Sequence, residues 1–407
     1  MRYVDTSFVN EAGQELRGRL DLPVDGRPLA YALFAHCFTC GKDIRAVRRI
    51  SECLTGAGIA VLRFDFTGLG QSEGDFADTS FSSNVDDLVA AAEFLRREHQ
   101  APQLLIGHSL GGAAVLMAAS RIPESRAVVT LGAPASPANV KKLLTCSIDE
   151  IEERGEADVS IAGRSFVIKK QFLDDLDAHA TRERVRRLKR PLLILHSPID
   201  EVVGVDNASE LFLAARHPKS FVSLDQANHL MSRDRDSRFA GGVIAAWALP
   251  LLNLAEYDSP LGEEKVFVRT EDTYLTAVRT ANHGFVLDEP KTVGGTDLGA
   301  DPYAHLLAAL GACTSITLRM YADRKGFPVD AINVRLSHNK IHARDCEECE
   351  PDTGRIDVID RVIEIEGPDL TDEARDRMLA IADRCPVHGT LTTKTIVRTT
   401  HGPQTAQ

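Results

Sequence analysis

The chain has 407 residues, of which 43% are hydrophobic and 26% are charged, so it has enough apolar material for two folded cores. Its formal net charge of −12 argues against nucleic acid or an anionic membrane as a partner, because phosphate contacts need clustered Lys and Arg. No apolar run is long enough to span a bilayer, and the polar residues 1–9 do not resemble a secretory signal. Eight cysteines in a chain of this size predict a reducing, cytoplasmic location rather than a disulfide scaffold.

The first 250 residues alternate short apolar runs with amphipathic stretches. Residues 4–9 and 15–22 flank a turn and predict an antiparallel N-terminal hairpin, and residues 82–97 have apolar side chains at helical spacing. Strands that alternate with helices predict an α/β fold with a mostly parallel, doubly wound sheet. The runs that predict its buried strands are residues 30–35, 60–66, 103–107, 127–131, 191–196 and 220–224.

Three changes in composition predict the domain organisation. Residues 1–255 are expected to form the α/β domain, and the charged stretch 134–190 is expected to form a small lid over its sheet. The polar residues 256–264 predict a linker, and residues 265–407 predict a second, α+β domain. The strands of this domain are predicted at 266–269, 273–280, 329–339 and 356–366, and its long helices at 303–325 and 371–384.

A single serine stands in a strong motif context. Residues 107–111 have the pattern G-x-S-x-G and lie between an apolar strand and an alanine-rich helix. Glycines permit the sharp strand-to-helix turn that exposes the hydroxyl of Ser109 at the positive end of the helix. We therefore predict that Ser109 is a nucleophile, and such a serine needs a base.

An acid and a base follow the serine in the chain order that this fold uses. Asp200 follows a long apolar strand, and its neighbour Glu201 is expected to be solvated instead. His229 follows the last strand of the predicted sheet. Ser109, Asp200 and His229 are therefore predicted to be a catalytic triad for acyl transfer that needs neither a cofactor nor a metal.

Acyl transfer also needs two backbone N–H groups directed at the developing oxyanion. Leu110 is one predicted donor, and Phe38, in the loop after residues 30–35, is the other. This loop resembles the His-Gly-aromatic turn of α/β-hydrolases, with Cys37 in place of the usual glycine, and residues 63–72 resemble a structural loop of that family. Residues 1–255 thus resemble a compact α/β-hydrolase of the esterase kind, which implies a small ester as substrate.

The C-terminal part carries a second set of motifs. These are DEP at 288–290, GGTD at 294–297, DPY at 301–303, AALGACT at 308–314 and CPVH at 385–388. They resemble the OsmC family, named for osmotically inducible protein C. The resemblance implies a homodimer packed through long helices, and a peroxidase couple in which Cys313 attacks and Cys385 resolves.

The chemistry of the two cysteines supports that resemblance only in part. Cys313 lies in an apolar helix, where burial disfavours a thiolate. Cys385 is expected at the C-terminal end of its helix, where the dipole suits a resolving thiol. The family's Glu after the opening proline is missing after Pro302; Glu289 is a possible substitute, and Arg279 or Arg269 a possible cation. Both peroxide reduction and a purely dimerising role therefore stay open.

The remaining cysteine motifs are not expected to carry chemistry. Cys37 and Cys40 form a C-x-x-C pattern that is expected to line the oxyanion loop. Cys346 and Cys349 lie in a charged loop without four ligands at zinc spacing. The sequence thus predicts a carboxylic-ester hydrolase joined to an OsmC-like domain. The alternatives are a thioesterase or amidase, and a redox-defence protein with an ancillary hydrolase.

Overall fold

The computed structural model describes residues 2–23, 26–36, 41–144, 148–161, 164–178, 181–254, 265–270, 273–280, 283–342 and 355–400. The chain divides into two compact units. The first comprises Met1–Glu271 and Ala277–Gly284, and the second comprises Asp272–Thr276 and Phe285–Gln407. The linker expected at 256–264 lies outside the described residues.

A mostly parallel sheet of eight strands forms the centre of the first unit. The strands described up to residue 254 are β1 (Arg2–Val9), β2 (Glu15–Leu22), β3 (Ala30–Ala35), β4 (Ile59–Phe64), β5 (Leu104–His108), β6 (Ala127–Leu131), β7 (Glu156–Ile161), β8 (Arg164–Lys169), β9 (Leu192–His196) and β10 (Lys219–Ser223). The sheet order is β1-β2-β4-β3-β5-β6-β9-β10. Pairing is antiparallel from β1 to β4 and parallel from β4 onward, as the sequence predicted.

Helices cover both faces of this sheet. They are α1 (Arg45–Gly56), α2 (Phe81–Glu98), α3 (Leu110–Ala118), α4 (Ile148–Arg154), α5 (Lys170–Ala178), α6 (Thr181–Arg186), α7 (Asp206–Ala214) and α8 (Asp234–Ala248), with 3₁₀ turns at Phe76–Asp78, Pro137–Leu144 and Leu249–Leu251. Alternate strand residues belong to two apolar clusters, because successive side chains of a strand point to opposite faces. One cluster includes residues of α2, α3 and α7, and the other includes residues of α1 and α8.

The segment expected to be a lid contains α4, the hairpin β7–β8, α5 and α6. Its apolar side chains Ile151, Ile168 and Phe172 are buried in the same cluster as one face of the sheet. A polar link adds to this packing, because Asp175 accepts hydrogen bonds from the backbone N–H and the hydroxyl of Ser82 at 2.6 and 2.7 Å. The lid segment therefore shares the core of the first unit.

The chain after residue 265 has the α+β character that the sequence predicted. Its described elements are β11 (Val266–Thr270), β12 (Thr276–Thr280), β13 (Gly284–Leu287), α9 (Pro302–Lys325), β14 (Ala331–His342), β15 (Arg355–Glu366), α10 (Asp372–Ala382) and α11 (Pro386–Thr392), with a 3₁₀ turn at Lys291–Val293. The strands β11, β12 and β13 form one sheet in that order, and β14 pairs antiparallel with β15.

The long helix α9 has clear start and stop signals. The side chain of Asp301 caps its first turn by accepting a hydrogen bond from the N–H of Ala304, and Pro302 occupies the first helical position. Gly326 ends it in the left-handed region at φ 69°. Leu318 and Met378, on α9 and α10, are fully buried in the core of the second unit. Among the described residues, no helix is both long and apolar enough to cross a bilayer.

Candidate active site

Ser109 stands at a strained turn between β5 and α3. Its backbone has φ 57° and ψ −127°, a conformation that non-glycine residues rarely adopt. The turn needs glycine on both sides, since a Cβ atom on Gly107 would lie 2.2 Å from the carbonyl oxygen of Gly111. A Cβ atom on Gly111 would lie 2.4 Å from the carbonyl oxygen of His36. The glycines of the motif therefore permit the turn that carries Ser109.

Asp200 and His229 meet beyond the ends of β9 and β10. Nδ1 of His229 lies 2.7 Å from Oδ2 of Asp200. The other carboxylate oxygen accepts the backbone N–H groups of Val202 and Val203, each at 2.9 Å. Burial raises the pKa of Asp200, but the hydrogen bonds from His229 and the two N–H groups outweigh it and hold the pKa below its usual range. The carboxylate is therefore charged at neutral pH and accepts a hydrogen bond from Nδ1–H of His229.

Residues at the end of β6 contact both Ser109 and the pair of Asp200 and His229. The backbone N–H of Ser109 donates to the carbonyl oxygen of Leu131 at 2.8 Å. The next residue, Gly132, lies against the acid and the base, because a Cβ atom there would be 3.2 Å from Oδ2 of Asp200 and 3.4 Å from Nδ1 of His229. The structure thus brings all three residues of the predicted triad to one edge of the sheet.

Of the two oxyanion donors expected from the sequence, Leu110 lies within the described residues and Phe38 does not. Leu110 is the first residue of α3 and is buried. Its N–H belongs to the first turn of the helix, where backbone N–H groups have no intrahelical partner. Phe38 lies outside the described residues, as do Cys37 and Cys40.

A buried ion pair anchors the chain directly after the segment that the sequence predicted as the oxyanion loop. Nζ of Lys42 lies 2.6 Å from Oδ2 of Asp65, and the backbone N–H of Lys42 donates to Oδ1 at 2.7 Å. Arg63 adds a bond from Nη1 to the carbonyl oxygen of Lys42 at 2.5 Å. The sequence had assigned no role beyond structure to residues 63–72, and it gave no signal for a partner at Lys42.

Two buried histidines next to the site were also missed. His108, directly before Ser109, has its Nε2 atom 2.8 Å from the carbonyl oxygen of His229. His196 ends β9 and has its Nε2 atom 2.7 Å from the carbonyl oxygen of Val203. Each is the last residue of a strand that leads to a residue of the predicted triad, and that position is the signal that would have found them.

The structure contradicts the expected position of Cys385. The helix predicted at 371–384 ends at Ala382, and Cys385 is instead the N-cap of the next helix, α11. Its Sγ atom accepts the backbone N–H of His388 at 3.3 Å, so Pro386 opens a helix rather than stopping one. The argument that a helix C-terminus disfavours its thiolate is therefore wrong.

The two thiols differ in acidity in the opposite direction to the one expected. Burial raises the pKa of Cys385, but hydrogen bonds from His388, Cys313 and Thr314 outweigh it, and the pKa falls below its usual value. Burial and the hydrogen bond to Cys385 raise the pKa of Cys313. A guanidinium that the sequence did not indicate lies one residue removed from this pair: Nη1 of Arg361 donates to the hydroxyl of Thr314 at 3.0 Å, and that hydroxyl lies 3.8 Å from Sγ of Cys385.

No group of three or more His, Cys, Asp or Glu side chains within the described ranges is arranged to hold a metal ion. Cys346 and Cys349 are outside those ranges. His338, which precedes them, lies 2.7 Å from Asp357.

Comparison with known proteins agrees with the architecture. Residues 33–151 match the family model described as serine aminopeptidase, S33, and residues 295–400 match the one described as OsmC-like protein. The crystal structure of the esterase domain of a Rhodothermus marinus protein is 53% identical, with a TM-score of 0.52, and the match covers 61% of this chain and 98% of that one. The strained turn at Ser109, the mostly parallel sheet and these matches define an α/β-hydrolase. The chain belongs to this family, in a fusion with a C-terminal OsmC-like domain.

More distant relatives act on several classes of ester. The mouse palmitoyl-protein thioesterase ABHD10, which is mitochondrial, is 28% identical over 203 residues, covering 48% of this chain and 67% of that protein. Human monoglyceride lipase is 29% identical over 143 residues, covering 35% and 46%. The chain therefore spans roughly half to two thirds of the length of these curated relatives.

Proposed function

We propose that this protein hydrolyses carboxylic esters through Ser109, Asp200 and His229. The observation that carries the proposal is the 2.7 Å hydrogen bond between His229 and Asp200 beside the strained turn of Ser109. A charged acid holds the imidazole with its proton on Nδ1, which leaves Nε2 as the base for a serine hydroxyl. The esterase domain from Rhodothermus marinus, at 53% identity, supports the same chemistry.

The reaction would run in two stages through an acyl-enzyme. Ser109 Oγ attacks the ester carbonyl carbon while His229 takes its proton, and the N–H groups of Leu110 and Phe38 stabilise the oxyanion. His229 then gives the proton to the leaving alkoxide, which departs as the alcohol. Water, deprotonated by the same imidazole, then attacks the acyl carbon of the acyl-enzyme. The bond from that carbon to Ser109 Oγ breaks, the imidazolium returns its proton to Oγ, and the acid is released. Asp200 stays ionised and stabilises the imidazolium in both stages.

The first test is Ser109→Ala, assayed on p-nitrophenyl esters of rising chain length. We expect hydrolysis to fall by at least about 1,000-fold with the fold intact, because the nucleophile is removed. A fluorophosphonate probe should label Ser109 in the unmodified protein. Full activity in the variant, or labelling at another residue, would contradict the proposal.

A matched set of three substrates separates esterase from thioesterase or amidase activity. The same acyl group should be offered as an oxygen ester, a thioester and an amide. The thioester is included because the mouse relative is named a thioesterase. We expect the oxygen ester to give the highest kcat/KM. A thioester preference would leave the triad in place and change the substrate class.

We propose a second activity, reduction of hydroperoxides, for the OsmC-like part. The observation that favours it is the lowered pKa of Cys385 beside a second thiol, Cys313, because the thiolate is the form that attacks a peroxide. Consumption of hydrogen peroxide in the presence of a dithiol tests this activity. No consumption above that of the Cys313→Ser, Cys385→Ser double variant would leave only a structural role for this part.

We also propose the organisation that the sequence indicated. Residues 1–255 would form the hydrolase domain with a lid around 134–190, 256–264 the linker, and 265–407 the OsmC-like domain, which would form the homodimer. The cytoplasmic location expected from the cysteine content also remains a prediction, and the mouse relative is mitochondrial by name.

A further inference from the structure

Two buried histidines that the proposed reaction does not use end the strands that lead to the triad. His108 is the last residue of β5 and is 2% exposed, and His196 is the last residue of β9 and is 0% exposed. Nε2 of His108 lies 2.8 Å from the backbone carbonyl oxygen of His229. Nε2 of His196 lies 2.7 Å from the backbone carbonyl oxygen of Val203. A carbonyl oxygen only accepts, so Nε2 carries the proton in both rings. Each histidine therefore donates to the loop of a triad residue.

His108 links the two residues between which the proton would move. It directly precedes Ser109 in the chain, and its ring centroid lies 5.0 Å from the ring centroid of His229. Together with Asp200, it holds His229 at two points. The Nε2–H of His108 holds the backbone carbonyl of His229, and Asp200 holds Nδ1 of the ring. The first bond sets where the backbone lies, and the second sets how the ring is turned.

The charge of His108 is suited to this position. The titratable groups that act on it are His229, Asp200 and His36. Burial, followed by the neighbouring His229, lowers the pKa of His108 to about 3. The ring is therefore neutral throughout the pH range of ester hydrolysis, and its donor bond is constant. A cation at this distance would oppose the imidazolium that His229 must become, and a neutral donor does not.

We propose that His108 is a positioning residue, whose Nε2–H bond to the backbone of His229 keeps the imidazole in register with Ser109. The inference rests on the proposed triad. Because His108 is buried and its Nε2–H is directed at the backbone of His229, its loss should act on turnover and leave substrate binding nearly unchanged.

Two substitutions separate the hydrogen bond from the packing. His108→Phe keeps a buried ring and removes the donor, whereas His108→Gln loses the ring and keeps a side-chain N–H. We expect His108→Phe to lower kcat by up to about 100-fold at an unchanged KM, since a small misplacement of a catalytic group has effects of this size. His108→Gln should recover most of this loss. His99→Phe is the matched control, because His99 stacks on Tyr31 and should be replaceable without effect.

A spectroscopic readout makes the test independent of activity. The proton between Nδ1 of His229 and Asp200 should give a low-field proton resonance in the unmodified protein, which weakens or broadens in His108→Phe and persists in His108→Gln. Wild-type kcat with an unchanged resonance in His108→Phe overturns the inference. An equal loss of kcat in both variants also overturns it, because packing alone would then explain the effect. Activity in Ser109→Ala would instead refute the proposed function, while the resonance would still decide the role of His108.

Discussion

Ser109 shows how local strain and local sequence combine at the residue scale. A non-glycine residue held at positive φ is unfavourable by about 1–3 kcal/mol, and it persists only where its surroundings over-determine it. Here the surroundings are the close backbone approaches that Gly107 and Gly111 allow. Gly107, Ser109 and Gly111 are neighbours in the chain, so the motif alone indicated the turn, although the approach that Gly111 allows is to the carbonyl oxygen of the distant His36.

The role of the acid is tested by Asp200→Asn with Glu201→Gln as its control. An amide at residue 200 no longer provides a charged acceptor for Nδ1 of His229, so the wrong tautomer is favoured. We expect kcat to fall by about 10,000-fold, the size of effect known for such a change in another serine hydrolase. Glu201 is exposed, and its variant should keep kcat within about two-fold, as surface changes usually do. A comparable loss in both variants, or none in Asp200→Asn, would contradict the assignment.

The thiol pair gives a prediction on pH. The pKa of Cys385 is lowered and that of Cys313 is raised, so on a rising pH scale Cys385 ionises first. Alkylation by iodoacetamide, mapped by mass spectrometry in the unmodified protein, should therefore show its midpoint for Cys385 at a lower pH than for Cys313. Cys385 is 1% exposed, so its plateau rate should be slow and only the midpoints should be compared. The reverse order of midpoints would restore Cys313 as the more acidic thiol.

At the scale of elements, the lid segment and the CPVH motif depart most from simple pattern reading. The hairpin β7–β8 within the lid segment was not predicted, since its short strands mix charged and apolar residues. The motif at 385–388 contains Pro386. A proline is compatible both with the end of one helix and with the first turn of the next, so its presence alone does not say which of the two applies. Only the capping bond from the N–H of His388 to Cys385 distinguishes the two cases.

The lid packing predicts a large loss of stability for Phe172→Ala. The side chain is 2% exposed and lies in the apolar cluster that includes the sheet, so its truncation leaves a cavity. We expect the free energy of unfolding of the hydrolase unit to fall by about 3–5 kcal/mol in urea titrations. Val167→Ala, in β8 of the same lid segment but with 36% of its surface exposed, is the control and should change stability much less. Equal effects would mean that the lid does not share the core.

At the scale of the whole molecule, α9 has an apolar face that the second unit leaves exposed. Leu306, Ile316 and Met320 are 37%, 60% and 68% exposed, and their spacing of ten and four residues keeps them on one side of the helix. Such a surface is unfavourable in water by roughly 25 cal/mol per Å². This supports the proposed homodimer through the OsmC-like part.

Light scattering tests the dimer, and a truncation tests the independence of the two parts. We expect the full chain to be a dimer and Ile316→Glu to be a monomer that keeps ester hydrolysis.

A chain that ends near Tyr257 should also keep esterase activity, because the related esterase domain was solved by itself and is matched over 98% of its length. Cys313→Ser should leave ester hydrolysis near wild type. A monomeric full chain would refute the dimer, and an esterase rate that collapses in Cys313→Ser would show that the sites are coupled.

The sequence by itself determined the two folds and the candidate triad. The alternation of strands and helices is a periodic property of the chain, and the serine motif is contiguous, so both are visible without coordinates. Asp200 and His229 could be proposed because the fold fixes the order in which such residues follow its strands. Their observed position beside Gly132 agrees with that order.

Only the tertiary structure decided which distant groups touch one another. The bond from His108 to the backbone of His229 joins residues 121 positions apart, and the ion pair of Lys42 and Asp65 joins residues 23 apart. The acidity of Cys385 likewise depends on Thr314, 71 residues away in the chain. Hydrogen bonds and pKa shifts depend on separations of a few ångströms and on burial, and neither is encoded in the period of apolar residues along a chain.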